Sequence, residues 1–493
     1  MPRLGAVPAG DGTADVCVWA PACDRVAVRA EEEVELARDG EYWVGGFAGE
    51  EYRLVADGEA WPDPCSRWQP DGVRGPSRVL DTDAFAWSDG DWEGVSLDEL
   101  VIYELHVGAC SEEGTFDGIV PRLRGLRELG VTAIELMPVA TFPGARGWGY
   151  DGLYTYAVHP AYGGPDGLAR LVDAAHAEGL GVILDVVYNH VGPGNEALRA
   201  FGPYFTDRYE TFWGDALDYS QRGVREWAIQ NAEQWVRDFH VDGLRLDAVH
   251  AICDDSPLHL CAELKRRVGD ALVISEMELG DWRPIEEWGH DGQWYDATHH
   301  ELHVLLTGET DGYYASFGSL ERLGEGLQGC GRDPRRLVVH AQNHDQVGNR
   351  AAGDRLPDDA LRVAAAVTLF SPCTPLLFMG EEWLERAPFQ FFTDHADPAI
   401  AEATREGRRR EFADFATFSG EEVPDPQALE TYLRSKLQPR DPDPLYRELL
   451  ALRRELPREL EFEADEQAKV LRLRRGDATL VADLGNRRVE FSR

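Results

Sequence analysis

The stretch "GLRLDAV" (residues 243–249) has the pattern of a buried strand, yet it contains two charged residues. Leu244 and Leu246 alternate with Arg245 and Asp247. Burying a charge is costly unless it is paired or hydrogen-bonded. The stretch therefore predicts a buried Arg245–Asp247 pair, which either stabilises the fold or takes part in chemistry.

Seven other stretches along the chain have the same buried-strand character, and amphipathic helical patterns separate them. The candidate strands are 101–107, 133–139, 181–188, 243–249, 271–277, 293–297, 337–343 and 375–380. One helical pattern places Ile119, Leu123, Leu126 and Leu129 near a spacing of 3.6 residues. Apolar strands alternating with such helices predict an α/β fold, a (β/α)8 TIM barrel. A doubly wound sheet is the alternative, but the sequence shows no Gly-rich dinucleotide loop or Walker motif.

The regions on either side of the barrel have a different, all-β pattern. Residues 1–93 contain short strands such as "DVCVWA" and "EYRLVADG" between Gly, Pro and Asp turns, which predict a β-sandwich similar to carbohydrate-binding modules. Residues 94–435 would form the barrel with a late, polar helical segment. Residues 436–493 would form a C-terminal helix and a short β-module.

Composition restricts the class of partner and the compartment. The chain has 493 residues, a formal net charge of −40 and only three lysines. Such an acidic protein repels phosphate backbones, so nucleic acid is not expected as a partner. A neutral sugar is neither attracted nor repelled by the negative electrostatic potential of the protein. We expect no signal peptide and no membrane span, and eight scattered cysteines favour free thiols. The expected location is cytoplasmic.

Polar residues at the ends of the candidate strands indicate an active site, because barrel enzymes place it there. The fourth and fifth strands end at Asp247 and Glu276, and the seventh is followed by Asp345. Three carboxylates among aromatic and histidine residues favour a glycosidase. Arg245 would keep Asp247 ionised as a nucleophile, and Glu276 would be an acid with a raised pKa. Asp185, inside the third strand, is expected to be a structural hydrogen-bonding residue.

Four segments carry a resemblance to a known family: "DVVYNH" (185–190), "GLRLDAVHA" (243–251), "ISEM" (274–277) and "QNHDQ" (342–346). In this order they resemble the α-amylase superfamily of glycoside hydrolases (family 13). The resemblance implies that Asp247 is the nucleophile, Glu276 the general acid/base and Asp345 a third carboxylate that holds sugar hydroxyls. This chemistry requires no cofactor, and we expect no metal at the site.

The same resemblance implies a set of residues that grip the sugar. These are Arg245, His190, His344 and Tyr150. From their positions near the strand ends we also predict sugar contacts for Asp151, His250, His299, His300, Gln346 and Asn349. His299, His300 and His303 match no common zinc signature, so a sugar cleft is the preferred interpretation and packing in the core the alternative.

Within the superfamily the chain is similar to the malto-oligosyltrehalose trehalohydrolase family. The stretches that carry this likeness include "YELHVG" (103–108), "ELHVLLTGETDGYYASF" (301–317) and "FMGEEWLERAPFQFFTDH" (378–395). The likeness implies retaining hydrolysis of the α-1,4 bond that releases trehalose from malto-oligosyl-trehalose, in a pathway with a malto-oligosyltrehalose synthase. Phe389, Phe391 and Phe392 are candidates for the trehalose side of the cleft or for core packing.

Three other functions stay open on the sequence alone. A 1,4-α-glucan branching enzyme would use the same carboxylates but pass the sugar to a 6-hydroxyl instead of water. Another α-amylase-superfamily hydrolase, with debranching or plain α-amylase activity, is the second alternative. A catalytically silent glycan-binding protein would have no need to keep Asp247, Glu276 and Asp345 together.

Overall fold

The structure, a computed structural model, describes residues 2–10, 12–211, 214–411 and 423–493. The N-terminal strands are Gly5–Gly10 (β1), Thr13–Trp19 (β2), Val26–Arg29 (β3), Glu33–Glu35 (β4), Ala37–Asp39 (β5), Tyr42–Ala48 (β6), Glu51–Ala56 (β7), Glu59–Trp61 (β8) and Ser77–Arg78 (β9). They form two antiparallel sheets, β1-β2-β6-β5 and β4-β3-β7-β8, with β9 paired to β7. Tyr52, Leu54 and Ala56 alternate along β7 and are buried, as a strand with one face on a core requires.

The middle of the chain contains the predicted barrel. Its strands, with two short hairpins, are Ile102–Leu105 (β10), Ala133–Leu136 (β11), Ala140–Thr141 (β12), Tyr154–Val158 (β13), Gly181–Val186 (β14), Phe205–Thr211 (β15), Gly214–Leu217 (β16), Gly243–Leu246 (β17), Leu272–Ser275 (β18), Gly292–Trp294 (β19), Leu337–His340 (β20) and Thr374–Phe378 (β21). Within the described chain the closed barrel is β10-β11-β14-β17-β18-β19-β20-β21, all parallel. Every predicted strand overlaps one barrel strand, so the (β/α)8 prediction is confirmed.

Helices cover the barrel and connect its strands. They are Val107–Cys110 (α1), Phe116–Leu129 (α2), Gly164–Ala177 (α3), Glu196–Phe201 (α4), Arg222–Asp238 (α5), Leu260–Val268 (α6), Arg283–Glu286 (α7), Ala297–Thr307 (α8), Leu320–Leu327 (α9), His344–Gly348 (α10), Asp358–Phe370 (α11), Pro398–Glu411 (α12), Leu429–Arg434 (α13) and Pro444–Arg453 (α14). Helix α2 begins after Thr115, whose hydroxyl accepts from the backbone N–H of Gly118, and ends at Gly130 with φ of 121°. Its predicted apolar stripe is buried.

The C-terminal strands Glu461–Asp465 (β22), Val470–Arg475 (β23), Ala478–Asp483 (β24) and Arg488–Ser492 (β25) form one antiparallel sheet in chain order. The sheet contacts α9 and α11 of the barrel. This is the predicted β-module. The late helical segment is described as α12 up to residue 411, and its continuation lies outside the described residues. The domain boundaries at 93 and 435 stay predictions.

Helix α5 joins the N-terminal sheets to the barrel. Gly223 lies directly under the indole of Trp19, so close that an added Cβ would lie 2.1 Å from the ring. The side-chain carbonyl of Gln230 accepts a hydrogen bond from the backbone N–H of Leu4 at 2.8 Å, and the indole N–H of Trp227 donates to the carbonyl of Pro64 at 3.3 Å. The sandwich is therefore packed tightly onto one barrel helix.

None of the described helices is long and apolar enough to cross a membrane. All eight cysteines are free thiols, and six of them are buried.

Candidate active site

Arg245, the charged residue in the middle of β17, is fully buried and is surrounded by carboxylates. Its Nη1 donates to Oδ2 of Asp185 and to Oδ1 of Asp247, both at 2.8 Å. Its Nη2 donates to Oε2 of Glu276 at 2.7 Å, and the guanidinium lies 4.2 Å from the ring centre of Trp294. Three carboxyl groups and an aromatic face compensate the burial of one cation.

Asp247 follows directly after β17, where the chain leaves the sheet. The side-chain amide of Asn189 donates to its Oδ2 at 2.6 Å, while Arg245 occupies its Oδ1. Burial alone would raise the pKa of Asp247, but the Arg245 charge and these hydrogen bonds hold the pKa below its usual value. Asp247 is therefore an ionised carboxylate with a fixed orientation.

Glu276 lies at the end of β18 and has the opposite electrostatic character. Burial, assisted by the charges of Asp247, Asp345 and Asp296, raises its pKa to about 8 despite the contact with Arg245. At neutral pH the carboxyl group of Glu276 is therefore mostly protonated, next to the ionised Asp247.

The backbone between these two acids is bent into an unusual conformation. Ala248 has φ of 39° and ψ of 53°, in the left-handed region that non-glycine residues rarely occupy. In this conformation its N–H donates to Oε2 of Glu276 at 3.0 Å. Strain of this kind costs on the order of 1–3 kcal/mol and is found at functional sites. Here the strained conformation of Ala248 allows the turn after Asp247 to hold the carboxyl group of Glu276.

Asp345 and His344 begin the short helix α10, which Asn343 caps by accepting a hydrogen bond from the N–H of Gln346 at 2.8 Å. The side chain of Asp345 is 29% exposed, which leaves it open to a ligand. The side-chain amide of Asn349 donates to its Oδ1 at 2.9 Å. Asn349 thus contacts the third carboxylate and orients it.

Tyr150 and His190 complete the ring of residues around the carboxylates. The Tyr150 hydroxyl donates to Oδ2 of Asp185 at 2.6 Å and lies 2.7 Å from Nε2 of His344. His190 places Nε2 3.0 Å from the carbonyl oxygen of Tyr150, and burial lowers its pKa. Burial raises the pKa of Asp185 to about 6, even though Arg245 opposes the shift. The expected structural role of Asp185 agrees with these contacts.

The other predicted sugar contacts are divided between the rim and the interior. Asp151 lies beside Tyr150 and pairs with Nε2 of His395 at 3.3 Å. His250 is exposed on the turn Val249–Ala251. His300 is 7% exposed, and neither of its ring nitrogens has a hydrogen-bond partner among the described residues. It therefore has free hydrogen-bonding capacity.

His299 is placed differently from its neighbour. Its Nδ1 is bonded to the carbonyl of Ala341 at 2.7 Å and its Nε2 to the hydroxyl of Tyr314 at 3.2 Å. Together with Gln346 it lines a separate cavity of about 230 Å³. Since both nitrogens of His299 are occupied inside the protein, the packing alternative describes it better than a sugar contact. Phe389 and Phe392 are also fully buried, and Phe389 stacks on Trp148.

Comparisons with known proteins agree with this geometry. The family "Alpha amylase, catalytic domain" matches residues 78–213. The malto-oligosyltrehalose trehalohydrolase of Saccharolobus solfataricus is 44% identical over 445 residues, which cover 83% of this chain and 78% of the relative. That of Arthrobacter ramosus is 43% identical over 522 residues, which cover 93% of this chain and 91% of the relative.

The chain belongs to the malto-oligosyltrehalose trehalohydrolase family.

A solved structure extends the comparison to the whole fold of this trehalohydrolase family member. A Salmonella typhimurium protein assigned to the α-amylases superposes with a TM-score of 0.88 at 36% identity, covering 98% of this chain and 93% of that one. The chain is accordingly an enzyme of the α-amylase class of glycoside hydrolases. The family resemblance predicted from the sequence is confirmed.

Two acidic residues at the site of this trehalohydrolase family member were not predicted from the sequence. Asp296, after β19, has a side chain that is 23% exposed and accepts a hydrogen bond from Nε2 of His340 at 3.0 Å. Burial opposes ionisation of Asp296, but this hydrogen bond keeps its pKa below the usual value. Glu104, within β10, contacts His344. Both acids lie inside predicted strands, as Asp185 does. A charged residue within an apolar strand is therefore the sequence signal that could have identified them.

Proposed function

We propose that the chain hydrolyses the α-1,4-glucosidic bond that releases trehalose from a malto-oligosyl-trehalose, with retention of configuration. The observation that carries the proposal is the guanidinium of Arg245, which holds Asp247 at 2.8 Å and Glu276 at 2.7 Å while their pKa values move in opposite directions. An ionised and a protonated carboxyl group side by side are the requirement of a retaining glycosidase. The names of the relatives support trehalose as the released sugar.

In the first step the carboxylate of Asp247 attacks C1 of the glucose at the cleavage point. The bond from C1 to the oxygen of trehalose breaks, and that oxygen takes the proton of Glu276 as it leaves. The result is an ester between the malto-oligosaccharide and Asp247, with trehalose free. Glu276 is now ionised.

In the second step a water molecule takes the place of trehalose. Glu276 removes a proton from this water as its oxygen bonds to C1 and the ester to Asp247 breaks. Two inversions at C1 give net retention, and both carboxyl groups return to their starting protonation states. Asp345 accepts hydrogen bonds from sugar hydroxyls, which strengthen as positive charge develops on the ring.

Residues around the carboxylates bind the same glucose unit in this proposal. Arg245, His190, His344 and Tyr150 surround it, and Asn349 acts through Asp345. His300, Asp151, His250 and Gln346 are proposed at more distant positions, and His299 is left out because its nitrogens are occupied. We further propose that a malto-oligosyltrehalose synthase supplies the substrate, since that reaction makes the trehalose end.

A product assay tests the proposal. Purified protein is incubated with maltotriosyl-trehalose and, separately, with maltopentaose and amylose, and the products are separated by chromatography. We expect rapid release of trehalose with little attack on the plain glucans. Proton NMR of the first product should show the α-anomer of maltotriose.

Two variants connect the assay to the site. Asp247→Asn and Glu276→Gln should each lower kcat by at least about 10³-fold, because a nucleophile and a general acid are removed. New α-1,6 branches in amylose without trehalose release would favour the branching enzyme instead. A Glu276→Gln variant with full cellular function would favour a silent glycan-binding protein.

A further inference from the structure

Glu104 and His344 form a buried contact that connects the first barrel strand to the helix after the seventh. The backbone N–H of His344 donates to Oε2 of Glu104 at 2.8 Å, and its Nδ1 lies 2.5 Å from Oε1. Both side chains are only 1% exposed, and the residues are 240 positions apart in the chain. One carboxylate therefore holds both the backbone and the ring of His344.

We propose that Glu104 is a positioning residue that keeps His344 as an imidazolium, whose Nε2–H holds the hydroxyl of Tyr150 and whose positive charge lies beside Asp345. The inference rests on the proposed function, because it concerns a residue of the same site. Glu104 itself does not touch the substrate in this proposal. It acts through His344.

The order of donors and acceptors around His344 requires both of its ring nitrogens to carry hydrogen. An ionised carboxylate only accepts, so Nδ1 donates to Glu104. The hydroxyl of Tyr150 has a single hydrogen, which it donates to Asp185 at 2.6 Å. Its oxygen can then only accept from Nε2 of His344 at 2.7 Å. Two N–H groups on one ring make an imidazolium, which donates a stronger hydrogen bond to Tyr150 than a neutral ring does and places a positive charge 3.5 Å from Oδ1 of Asp345.

The charges that face His344 support the same protonation state. Burial by itself would lower the pKa of His344, but the charges of Asp345 and Glu104 and the hydrogen bond to Glu104 raise it to about 10. The titratable and charged groups that act on the ring from the elements around it are Glu104, Glu135, Asp185, Asp345, Arg245, Tyr150 and His106. The cation is thus stable through the neutral range.

A neighbouring acid shows that the contact is selective. Glu135 on β11 is in register with Glu104 on β10 and is also fully buried. Neither of its carboxylate oxygens has a hydrogen-bond partner among the described residues, and burial followed by the Glu104 charge raises its pKa well above the usual value. Glu135 is therefore neutral and does not share the histidine. It provides a matched control.

The experiment measures substrate binding as a function of pH in a protein that cannot turn it over. In the Glu276→Gln background, the affinity for maltotriosyl-trehalose is followed by calorimetry between pH 5.5 and 9. We expect the parent to lose little affinity over this range, because His344 stays charged. Adding Glu104→Gln removes the negative charge, and the affinity should then fall roughly ten-fold or more as the pH rises from 6 to 8.

Three further proteins make the result decisive. Glu135→Gln in the same background should follow the parent, and Glu104→Asp, which keeps the charge, should restore most of the flat pH profile. The proposal is overturned if Glu104→Gln leaves the profile unchanged or if Glu135→Gln alters it equally. Nitrogen-15 NMR of histidine-labelled wild type, assigned with His344→Gln, gives a test that does not depend on the folding of Glu104 variants. A neutral His344 signal at pH 8 would overturn the proposal.

The outcome is separable from that of the proposed function. If the parent binds maltopentaose but not maltotriosyl-trehalose, the proposed substrate is wrong. The pH comparison is then made with maltopentaose, whose glucose units would contact Tyr150 and Asp345 in the same way. It still decides the role of Glu104.

Discussion

The side-chain amide of Asn189 donates to Oδ2 of Asp247 at 2.6 Å and to the carbonyl oxygen of the same residue at 2.9 Å. The two bonds fix both the backbone and the carboxylate of Asp247. Arg245 donates to the other carboxylate oxygen. These hydrogen bonds orient the carboxylate of Asp247 and favour its ionised form. The loop after β14 is therefore as important to the proposed nucleophile as its own strand.

Replacing Asn189 with Asp should shift the acidic limb of the pH–rate profile to higher pH. A second carboxylate next to Asp247 makes ionisation of the pair unfavourable, so the pKa of the nucleophile rises. A nucleophile must be ionised, and activity is lost as the pH falls through its pKa. We expect the acidic limb of kcat/KM to move to higher pH by about one unit or more, as the pKa of the nucleophile rises. Asn195→Asp, next to Arg199 on a nearby helix, is the matched control, and an equal shift there would contradict the explanation.

Replacing Asp296 with Asn should shift the alkaline limb to lower pH. The negative charge of Asp296 is one of the causes that raise the pKa of Glu276 to about 8. A general acid is active in its protonated form, which is present below this pKa and lost as the pH rises through it. Without Asp296 the loss should begin at lower pH, as measured by kcat against pH.

The control for Asp296 is Asp117→Asn, since Asp117 forms an exposed ion pair with Arg170 at 2.7 Å and is not among the charges that act on Glu276. Its profile should match the wild type. An alkaline limb that stays in place in Asp296→Asn would mean that burial and the charges of Asp247 and Asp345 set the pKa of Glu276 without Asp296.

Replacing Asn349 with Ala should weaken transition-state binding by Asp345. The lost hydrogen bond of 2.9 Å goes to a carboxylate, and such bonds contribute about 1.5–3 kcal/mol. We expect kcat/KM to fall roughly ten- to hundred-fold, most of it in kcat, because the sugar contacts strengthen in the transition state. Asn486→Ala removes a similar bond to Asp483 at 2.8 Å in the C-terminal sheet and should leave both constants unchanged.

Two glycine-to-alanine substitutions should have opposite effects on stability. At Gly223 the new Cβ would clash with the indole of Trp19, and such overpacking costs about 1–3 kcal/mol. At Gly125, in the interior of α2, an added Cβ meets nothing within 4 Å, and alanine should stabilise the helix by up to about 1 kcal/mol. Urea denaturation followed by circular dichroism measures both. Equal midpoints would contradict the close packing of the sandwich on α5.

The sequence alone predicted the eight barrel strands, because each is a mainly apolar run of the kind found in a parallel sheet covered on both faces. It also located the acids: Asp247, Glu276 and Asp345 end or follow strands, and the C-terminal ends of parallel strands meet at one rim. A charge inside an apolar run is a local pattern, so Arg245 and Asp185 are recognisable from the order of residues in the chain.

The tertiary structure alone decided which polar residues face one another. No local sequence pattern connects Glu104 to His344. His299 and His300 are neighbours on one helix, and their side chains point about 100° apart around its axis. As a result the ring nitrogens of His299 are bonded inside the protein, whereas those of His300 have no partner among the described residues. The protonation states also depend on the fold. Asp247 and Glu276 have opposite pKa shifts because burial, the Arg245 guanidinium and neighbouring acids combine differently at each position.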